Sequence, residues 1–227
     1  MRQADHALLI DEVCAVGQGR IVVFDADGTL WRGDVGEDFL RFAAQRKLFP
    51  NDVEYATYEH HLEQSPPYAY GWCVEILKGM PEAQLQEHCD RFFNERFAGR
   101  VFAFVRPMLE RLRKAGITPW ICSASPRWAV LPGARALGID PAHVIGVTCS
   151  TSDGVLTGVV DQPVPVGPGK VTWLERRGVK PLLGVGNGDF DVDMLAASER
   201  ALVIAPPDSD NGLVKNARER GWPILRA

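Results

Sequence analysis

A short apolar run that ends in two aspartates constrains this chain more than any other feature. Ile21 to Phe24 contains only apolar residues, and Asp25 and Asp27 follow it. Such a run is typical of a strand buried on both faces of a parallel sheet. Ligands of open α/β sheets bind beyond the carboxyl ends of these strands. Two like charges there oppose folding unless a cation or a shared proton compensates them, so the pair predicts a chemical site.

Strand and helix patterns alternate along most of the chain. Further apolar runs predict strands at 117–122, 143–147, 181–185 and 201–205. Helical patterns lie near them, at 4–16, 104–115, 127–137, 169–177, 191–198 and 211–220. This alternation predicts an α/β fold, a Rossmann-like doubly wound parallel sheet with helices on both faces. Asp153-Gly154 adds a hairpin within 148–160.

Residues 34–100 depart from the alternation. They hold helical patterns at 39–47, 51–63 and 82–97 and no convincing strand. The segment is much longer than the roughly dozen residues that a crossover between parallel strands needs. We therefore predict a core domain formed by residues 1–33 and 101–227. An α-helical cap, residues 34–100, is inserted between its first and second strands.

Composition and charge exclude several kinds of partner. The 227 residues are 46% hydrophobic, which is enough for a sizeable core. The net charge of −4 offers no broad basic surface, so nucleic acid is not an expected partner. Residues 1–19 lack the basic start and apolar stretch of a signal peptide, so we expect a cytoplasmic protein without membrane association. The sequence does not indicate an oligomeric state.

Polar motifs meet at the predicted carboxyl edge of the sheet. Asp25 and Asp27 follow the first strand, and Ser123-Ala124-Ser125-Pro126 follows the second and opens a helix. Lys170 follows Gly167-Pro168-Gly169, and 186–191 reads Gly-Asn-Gly-Asp-Phe-Asp after the fourth strand. Oxygen ligands beside a lysine suit Mg²⁺ and a phosphate better than zinc or iron. A helix N-terminus adds an anion site.

In their order and residue identities, these motifs resemble the four motifs of the haloacid dehalogenase superfamily of phosphatases. The cap position and the residues 122–126 are most similar to its phosphoserine phosphatase-like branch. The resemblance covers residues 21 to about 205, although the cap matches only in position and helical character. It implies a Mg²⁺-dependent phosphomonoester hydrolase that acts on a small, phosphoserine-like metabolite through an aspartyl-phosphate intermediate.

The resemblance also implies a role for each motif residue. Asp25 would be the nucleophile, and Asp27 would protonate the leaving group and then activate water. Ser123 and the backbone N–H groups around Ala124 would bind phosphate. Lys170 would also contact the phosphate, neutralise the developing charge and bridge to Asp25. The implied Mg²⁺ ligands are Asp25, the backbone carbonyl of Asp27, Asn187 and Asp191.

Asn187 departs from the family pattern, which usually has aspartate at this position. An amide oxygen still ligates Mg²⁺ but brings no negative charge. Two alternatives follow: the site binds the metal more weakly, or Asp191, alone or with Asp189, supplies the direct ligand.

Asp34 and Glu37, at the start of the predicted cap, are candidates for substrate specificity. Asp34 lies nine residues after Asp25, where relatives acting on phosphoserine have an acidic residue that meets the substrate amine. An N-cap followed by an acidic first helical turn explains the same residues equally well.

Two other functions remain open. A phosphotransferase or phosphomutase of the same superfamily shares the two aspartates, but it must exclude water and admit a second acceptor. A non-catalytic phosphate-binding or regulatory module is favoured only by Asn187.

Overall fold

The computed structural model describes residues 6–227, which contain a six-stranded sheet. Its strands lie in the order β3-β2-β1-β6-β7-β8. Strand β1 pairs in parallel with β2 and with β6, β6 pairs in parallel with β7, and β7 with β8. A second, two-stranded sheet is the antiparallel hairpin β4–β5. The strands are β1 (Ile21–Phe24), β2 (Thr118–Pro126), β3 (Val144–Val147), β4 (Cys149–Ser152), β5 (Val155–Val160), β6 (Pro181–Gly186), β7 (Arg200–Ala205) and β8 (Ile224–Arg226).

The predicted α/β fold is confirmed. Ten α-helices accompany the strands in the described residues, and none of them is long and apolar enough to cross a membrane. The first two residues of the helix predicted at 4–16 lie outside the described residues. The helices are α1 (His6–Val16), α2 (Val35–Gln45), α3 (Tyr55–Gln64), α4 (Pro66–Glu75), α5 (Glu82–Phe92), α6 (Val105–Lys114), α7 (Arg127–Ala136), α8 (Pro168–Arg176), α9 (Val192–Ala197) and α10 (Gly212–Arg220).

Strand β1 lies in the middle of the sheet, and its position determines where the aspartates fall. Phe24 is opposite Ile121 of β2 and Val185 of β6. The N–H of Asp25 continues the ladder by donating to the carbonyl of Val185 at 2.8 Å. Asp25 is therefore held by backbone pairing at the carboxyl end of a central strand.

The chain divides into two compact units. The first comprises residues through 32, 101–122 and 165–227, and the second comprises 33–100 and 123–164. The first unit holds β1, the start of β2, and β6 to β8. The second unit holds α2 to α5, α7, β3 and the hairpin. The helical segment thus shares its unit with 123–164, and the cap boundaries 34 and 100 remain a prediction.

Aromatic rings form part of the core of the second unit. Phe92 lies 5.7 Å from Phe39, 5.2 Å from Phe42 and 5.9 Å from Phe97 between ring centroids. These contacts join α2, α5 and the turn that follows α5. They explain why a segment without strands still folds compactly, because large rings bury much apolar area.

The helix limits in this unit differ from the predictions. Helix α2 starts at Val35, four residues earlier than predicted, because Asp34 caps it. The single helix predicted at 82–97 ends at Phe92, and a π-helical turn, Phe93–Phe97, follows. Helix α4 was not predicted, since it begins with Pro66-Pro67, a pair tolerated only in a first helical turn.

Candidate active site

A buried lysine joins two buried carboxylates in the first unit. Lys170 Nζ donates to Asp25 Oδ1 and to Asp191 Oδ1, both at 2.6 Å. The exposed fractions are 1% for Lys170, 7% for Asp25 and 3% for Asp191. Strand β1, helix α8 and the loop after β6 each supply one member. Buried charges persist only when they are paired in this way, so three distant segments must converge.

The pKa values of Asp25 and Lys170 reflect this arrangement. Burial raises the pKa of Asp25 to about 7, with the charge of Asp191 adding to the rise and Lys170 opposing it. Burial alone would lower the pKa of Lys170, but the charges of Asp191 and Asp25 outweigh it and raise the pKa. Lys170 therefore stays protonated, whereas Asp25 titrates near neutrality in the metal-free protein.

Asp191 also organises the loop after β6. Its Oδ2 accepts the backbone N–H groups of Asn187 at 2.9 Å and Gly188 at 3.0 Å. A Cβ at Gly186 would lie only 2.6 Å from the Cβ of Asp191, so glycine is required for this close approach. With Lys170 on Oδ1, the two oxygens of Asp191 accept three donors, and these bonds fix the position of Asn187.

The side-chain amide of Asn187 reaches the end of β1. Thr29 Oγ1 lies 3.1 Å from Asn187 Oδ1 and 3.2 Å from Asp25 Oδ2. A Cβ at Gly28, whose φ is +75°, would lie 2.1 Å from Asn187 Nδ2. Only glycine satisfies both the backbone angle and the contact. Thr29 and Gly28 thus allow the amide to pack directly against the two aspartates.

The groups around Asn187 are of the type that Mg²⁺ prefers. One terminal atom of its amide lies 2.8 Å from the backbone oxygen of Asp27 and 3.1 Å from Asp25 Oδ2. As nitrogen, this atom donates to both oxygens. With the amide turned over, its oxygen, the carbonyl of Asp27 and the carboxylate of Asp25 form a set of oxygen donors, the ligand type of Mg²⁺.

A tryptophan holds the second aspartate. Trp31 Nε1 donates to Asp27 Oδ1 at 2.7 Å, and the side chain of Trp31 is fully buried. Sequence reasoning assigned no role at the site to Trp31 or Thr29. Both lie within four residues of an aspartate, but this proximity does not distinguish a partner of the site from a core residue.

A family model for haloacid dehalogenase-like hydrolases matches residues 22–196. The chain belongs to this family. The match confirms the resemblance inferred from the motifs, and it makes the chain a haloacid dehalogenase-like hydrolase.

Individual relatives of this hydrolase are distant. A histidinol-phosphatase of Neisseria meningitidis serogroup C is 24% identical over 226 residues, covering 90% of this chain and 97% of the relative. A phosphoserine phosphatase of Mycobacterium tuberculosis is 29% identical over 186 residues, covering 79% of this chain but only 42% of the relative. A crystal structure of a Bordetella pertussis protein of unknown function shares the fold, with a TM-score of 0.76 and 21% identity over 91% of this chain and 97% of that one.

Of the three residues predicted to bind phosphate, Lys170 lies in the first unit of this hydrolase, and Ser123 and Ala124 lie in the second. Ser123 and Ala124 follow Cys122 along β2, and Ser123 is buried. Ser123 Oγ accepts the backbone N–H of Ser125 at 3.1 Å. Helix α7 begins only at Arg127, so Ser123 belongs to the strand rather than to the helix cap. Phosphate binding by Ser123 and Ala124 remains a prediction.

Asp34 and Glu37 have partners inside the second unit. Asp34 Oδ1 accepts the N–H of Glu37 at 2.8 Å, so Asp34 is the N-cap of α2. Burial raises the pKa of Asp34, although the N–H of Glu37 opposes the rise. Glu37 Oε1 accepts hydrogen bonds from the hydroxyl of Tyr55 and, at 3.4 Å, from Arg41. Contact of either carboxylate with a substrate remains a prediction.

Proposed function

We propose that this hydrolase is a Mg²⁺-dependent phosphomonoesterase that works through an aspartyl-phosphate on Asp25. The observation that carries the proposal is the pairing of Asp25 with Lys170 at 2.6 Å, next to the backbone oxygen of Asp27 and the amide of Asn187. The fixed cation orients the Asp25 carboxylate and opposes the rise in its pKa that burial causes, which favours its role as a nucleophile.

The residues divide the chemistry between them. One oxygen of Asp25 forms a bond to phosphorus while the bond from phosphorus to the ester oxygen breaks, and Asp27 gives that oxygen a proton. Asp27 then takes a proton from the water that attacks the phosphoaspartate. Lys170 offsets negative charge that develops on Asp25 and the phosphoryl group, since it stays protonated throughout. Ser123 and the N–H groups around Ala124 hold the phosphoryl oxygens.

The residues that would hold Mg²⁺ are Asp25, the backbone carbonyl of Asp27 and the amide oxygen of Asn187. A bound Mg²⁺ would supply Lewis acidity and charge neutralisation at the phosphoryl group. We assign Asp191 a positioning role, because its oxygens already accept Lys170 and two backbone N–H groups. These three donors leave one acceptor site on Oδ1, so direct ligation by Asp191 remains a prediction.

The proposed substrate is a small phosphorylated metabolite. The relatives are named for histidinol phosphate and phosphoserine, which are both phosphates of a primary alcohol that also carries an amine. We propose a substrate of this class, with Asp34 or Glu37 meeting the amine. The cytoplasmic location remains a prediction from the sequence.

Hydrolysis assays test this function. The purified protein should hydrolyse p-nitrophenyl phosphate with Mg²⁺ and lose this activity in a chelator. Phosphoserine and histidinol phosphate should be better substrates than a matched phosphate ester without an amine. An added alcohol that collects the phosphoryl group as the main product would establish the phosphotransferase alternative. If the folded protein hydrolyses no phosphate ester with any divalent metal, the non-catalytic phosphate-binding or regulatory module is the remaining alternative.

A further inference from the structure

The contact between Trp31 and Asp27 joins a wholly buried ring to a half-buried acid. Trp31 Nε1 lies 2.7 Å from Asp27 Oδ1, a short distance for a charge-assisted N–H···O bond. The exposed fraction of Trp31 is 0%. An indole N–H can donate but cannot accept, so it never competes for a proton.

The backbone fixes Trp31 in place. The N–H of Gly28 donates to the carbonyl of Trp31 at 2.9 Å, which closes the loop after β1. Trp31 also makes an antiparallel bridge to Val101, and the N–H of Phe102 donates to the carbonyl of Leu30 at 3.1 Å. The indole is thus a fixed donor, whereas an aspartate that is not held rotates freely about its side-chain bonds.

We infer that Trp31 is a positioning residue for Asp27, and that its N–H orients the carboxyl group that gives and takes the proton. This inference rests on the proposed function, in which Asp27 is the general acid and base. In the first step the carboxyl O–H bond of Asp27 breaks and its proton moves to the ester oxygen, while that oxygen leaves phosphorus and an oxygen of Asp25 bonds to phosphorus. In the second step water gives a proton to the carboxylate of Asp27, and the water oxygen bonds to phosphorus as the bond from phosphorus to Asp25 breaks.

Leaving groups of different basicity test the inference. Trp31→Phe removes the N–H and keeps an aromatic ring. An alkyl phosphate needs a proton on its leaving oxygen, whereas p-nitrophenolate leaves as a stable anion. We expect kcat/KM, which covers the steps up to the phosphoenzyme, to fall about 10- to 100-fold for the alkyl phosphate. The fall for p-nitrophenyl phosphate should be less than about 3-fold.

Two comparisons separate positioning from packing. In an Asp27→Asn background, Trp31→Phe should cause no further leaving-group selectivity, since the acid is already gone. Trp128→Phe is the matched control, because Trp128 Nε1 donates to Glu82 Oε1 at 3.0 Å and is likewise buried, but in the second unit. It should leave the ratio of the two kcat/KM values unchanged.

The outcomes are distinct. Suppose that wild-type protein hydrolyses both esters. If Trp31→Phe then lowers kcat/KM equally for the two esters, or lowers it for neither, the positioning role is overturned while the proposed function stands. If wild-type protein hydrolyses neither ester, the proposed function falls and the inference falls with it. If Trp31→Phe does not fold, the NMR chemical shift of the Trp31 indole N–H provides the test. This shift should differ between wild-type protein and Asp27→Asn, and an unchanged shift overturns the inference.

Discussion

Asp25, which is buried, and Asp34, which is half-buried, are both carboxylates next to the end of a secondary-structure element, yet their partners differ. Burial raises the pKa of both. Asp25 is compensated by a full positive charge on Lys170, 145 residues away in sequence. Asp34 is compensated by the backbone N–H of Glu37, three residues away, and by the hydroxyl of Ser125 at 3.4 Å.

The difference separates a chemical site from a structural cap. Bringing Lys170 to Asp25 requires long-range folding and the burial of charge, which folding alone does not reward. A cap forms locally from a helix start and stabilises the helix by itself. A buried carboxylate whose counter-charge comes from a distant segment is therefore the stronger candidate for chemistry.

Replacing the nucleophile should give the largest effect. Asp25→Asn keeps the shape but removes the attacking charge, so we expect kcat to fall by at least ~10³-fold. Hydrolysis of p-nitrophenyl phosphate measures this, and circular dichroism checks the fold. Asp11→Asn is the control, since Asp11 is an exposed carboxylate paired with Arg111 and should keep full activity. Substantial turnover in Asp25→Asn would remove the distinction between Asp25 and Asp34.

Removing the counter-charge should destabilise the protein strongly. Lys170→Met leaves Asp25 and Asp191 buried without a cation, and we expect a loss of about 3–5 kcal/mol in the free energy of unfolding. Without the lysine the pKa of Asp25 rises further, so the loss should be greatest at high pH and should shrink as pH falls and the carboxylates protonate. Urea denaturation at several pH values measures both.

An exposed ion pair provides the control for this loss. Lys114 lies 2.7 Å from Glu110 in a pair that is largely exposed. Lys114→Met should cost far less than Lys170→Met, because exposed pairs are solvated and contribute little. If Lys170→Met cost no more than Lys114→Met, the buried pair would not be the feature that distinguishes the site.

Magnesium binding should depend on pH through Asp25. Its pKa is raised to about 7, so below that pH a metal ion must displace a proton from the carboxyl. We expect the Kd for Mg²⁺ to rise about tenfold for each pH unit below about 7 and to level off above it. Calorimetric titration of the metal-free protein measures this. Asp25→Asn should abolish the dependence, and a flat Kd between pH 5.5 and 8 in wild-type protein would contradict it.

In the structure Lys170 bonds to Asp25 and Asp191, and the backbone N–H of Asn187 donates to Asp191. The roles of these four residues remain predictions. Sequence reasoning expected the residues to meet, because Asp25, Asn187 and Asp191 come after apolar strands whose ends a parallel sheet brings to one edge, and Lys170 follows Gly167-Pro168-Gly169 before a helical segment. It did not recover Trp31 or Thr29, because side-chain hydrogen bonds within a tight loop have no periodic signature. Helix α4 and the end of α5 were missed for a related reason: prolines and aromatic packing, rather than a polar–apolar period, determine them.

The smallest effect should come from Asp34. Asparagine caps a helix as well as aspartate does, so Asp34→Asn should keep the cap while removing a half-buried charge. Because burial raises the pKa of Asp34 above its usual value, the wild-type protein loses stability as pH rises from the usual aspartate pKa to the raised one. Asp34→Asn should therefore gain stability relative to wild type as pH rises, and should be the more stable of the two at pH 8.

Asp34→Ala provides the comparison, because it removes the charge and the cap together. It should be about 1 kcal/mol less stable than Asp34→Asn at pH 8, and urea denaturation of the two variants measures the cap alone.

The same pair of variants, Asp34→Asn and Asp34→Ala, tests substrate contact. If Asp34 meets the substrate amine, both variants should raise KM for an amine-bearing phosphate and leave KM for p-nitrophenyl phosphate unchanged. If the KM for each ester is the same in wild type, Asp34→Asn and Asp34→Ala, then Asp34 is a helix cap only. Glu37 would then be the remaining carboxylate for the amine.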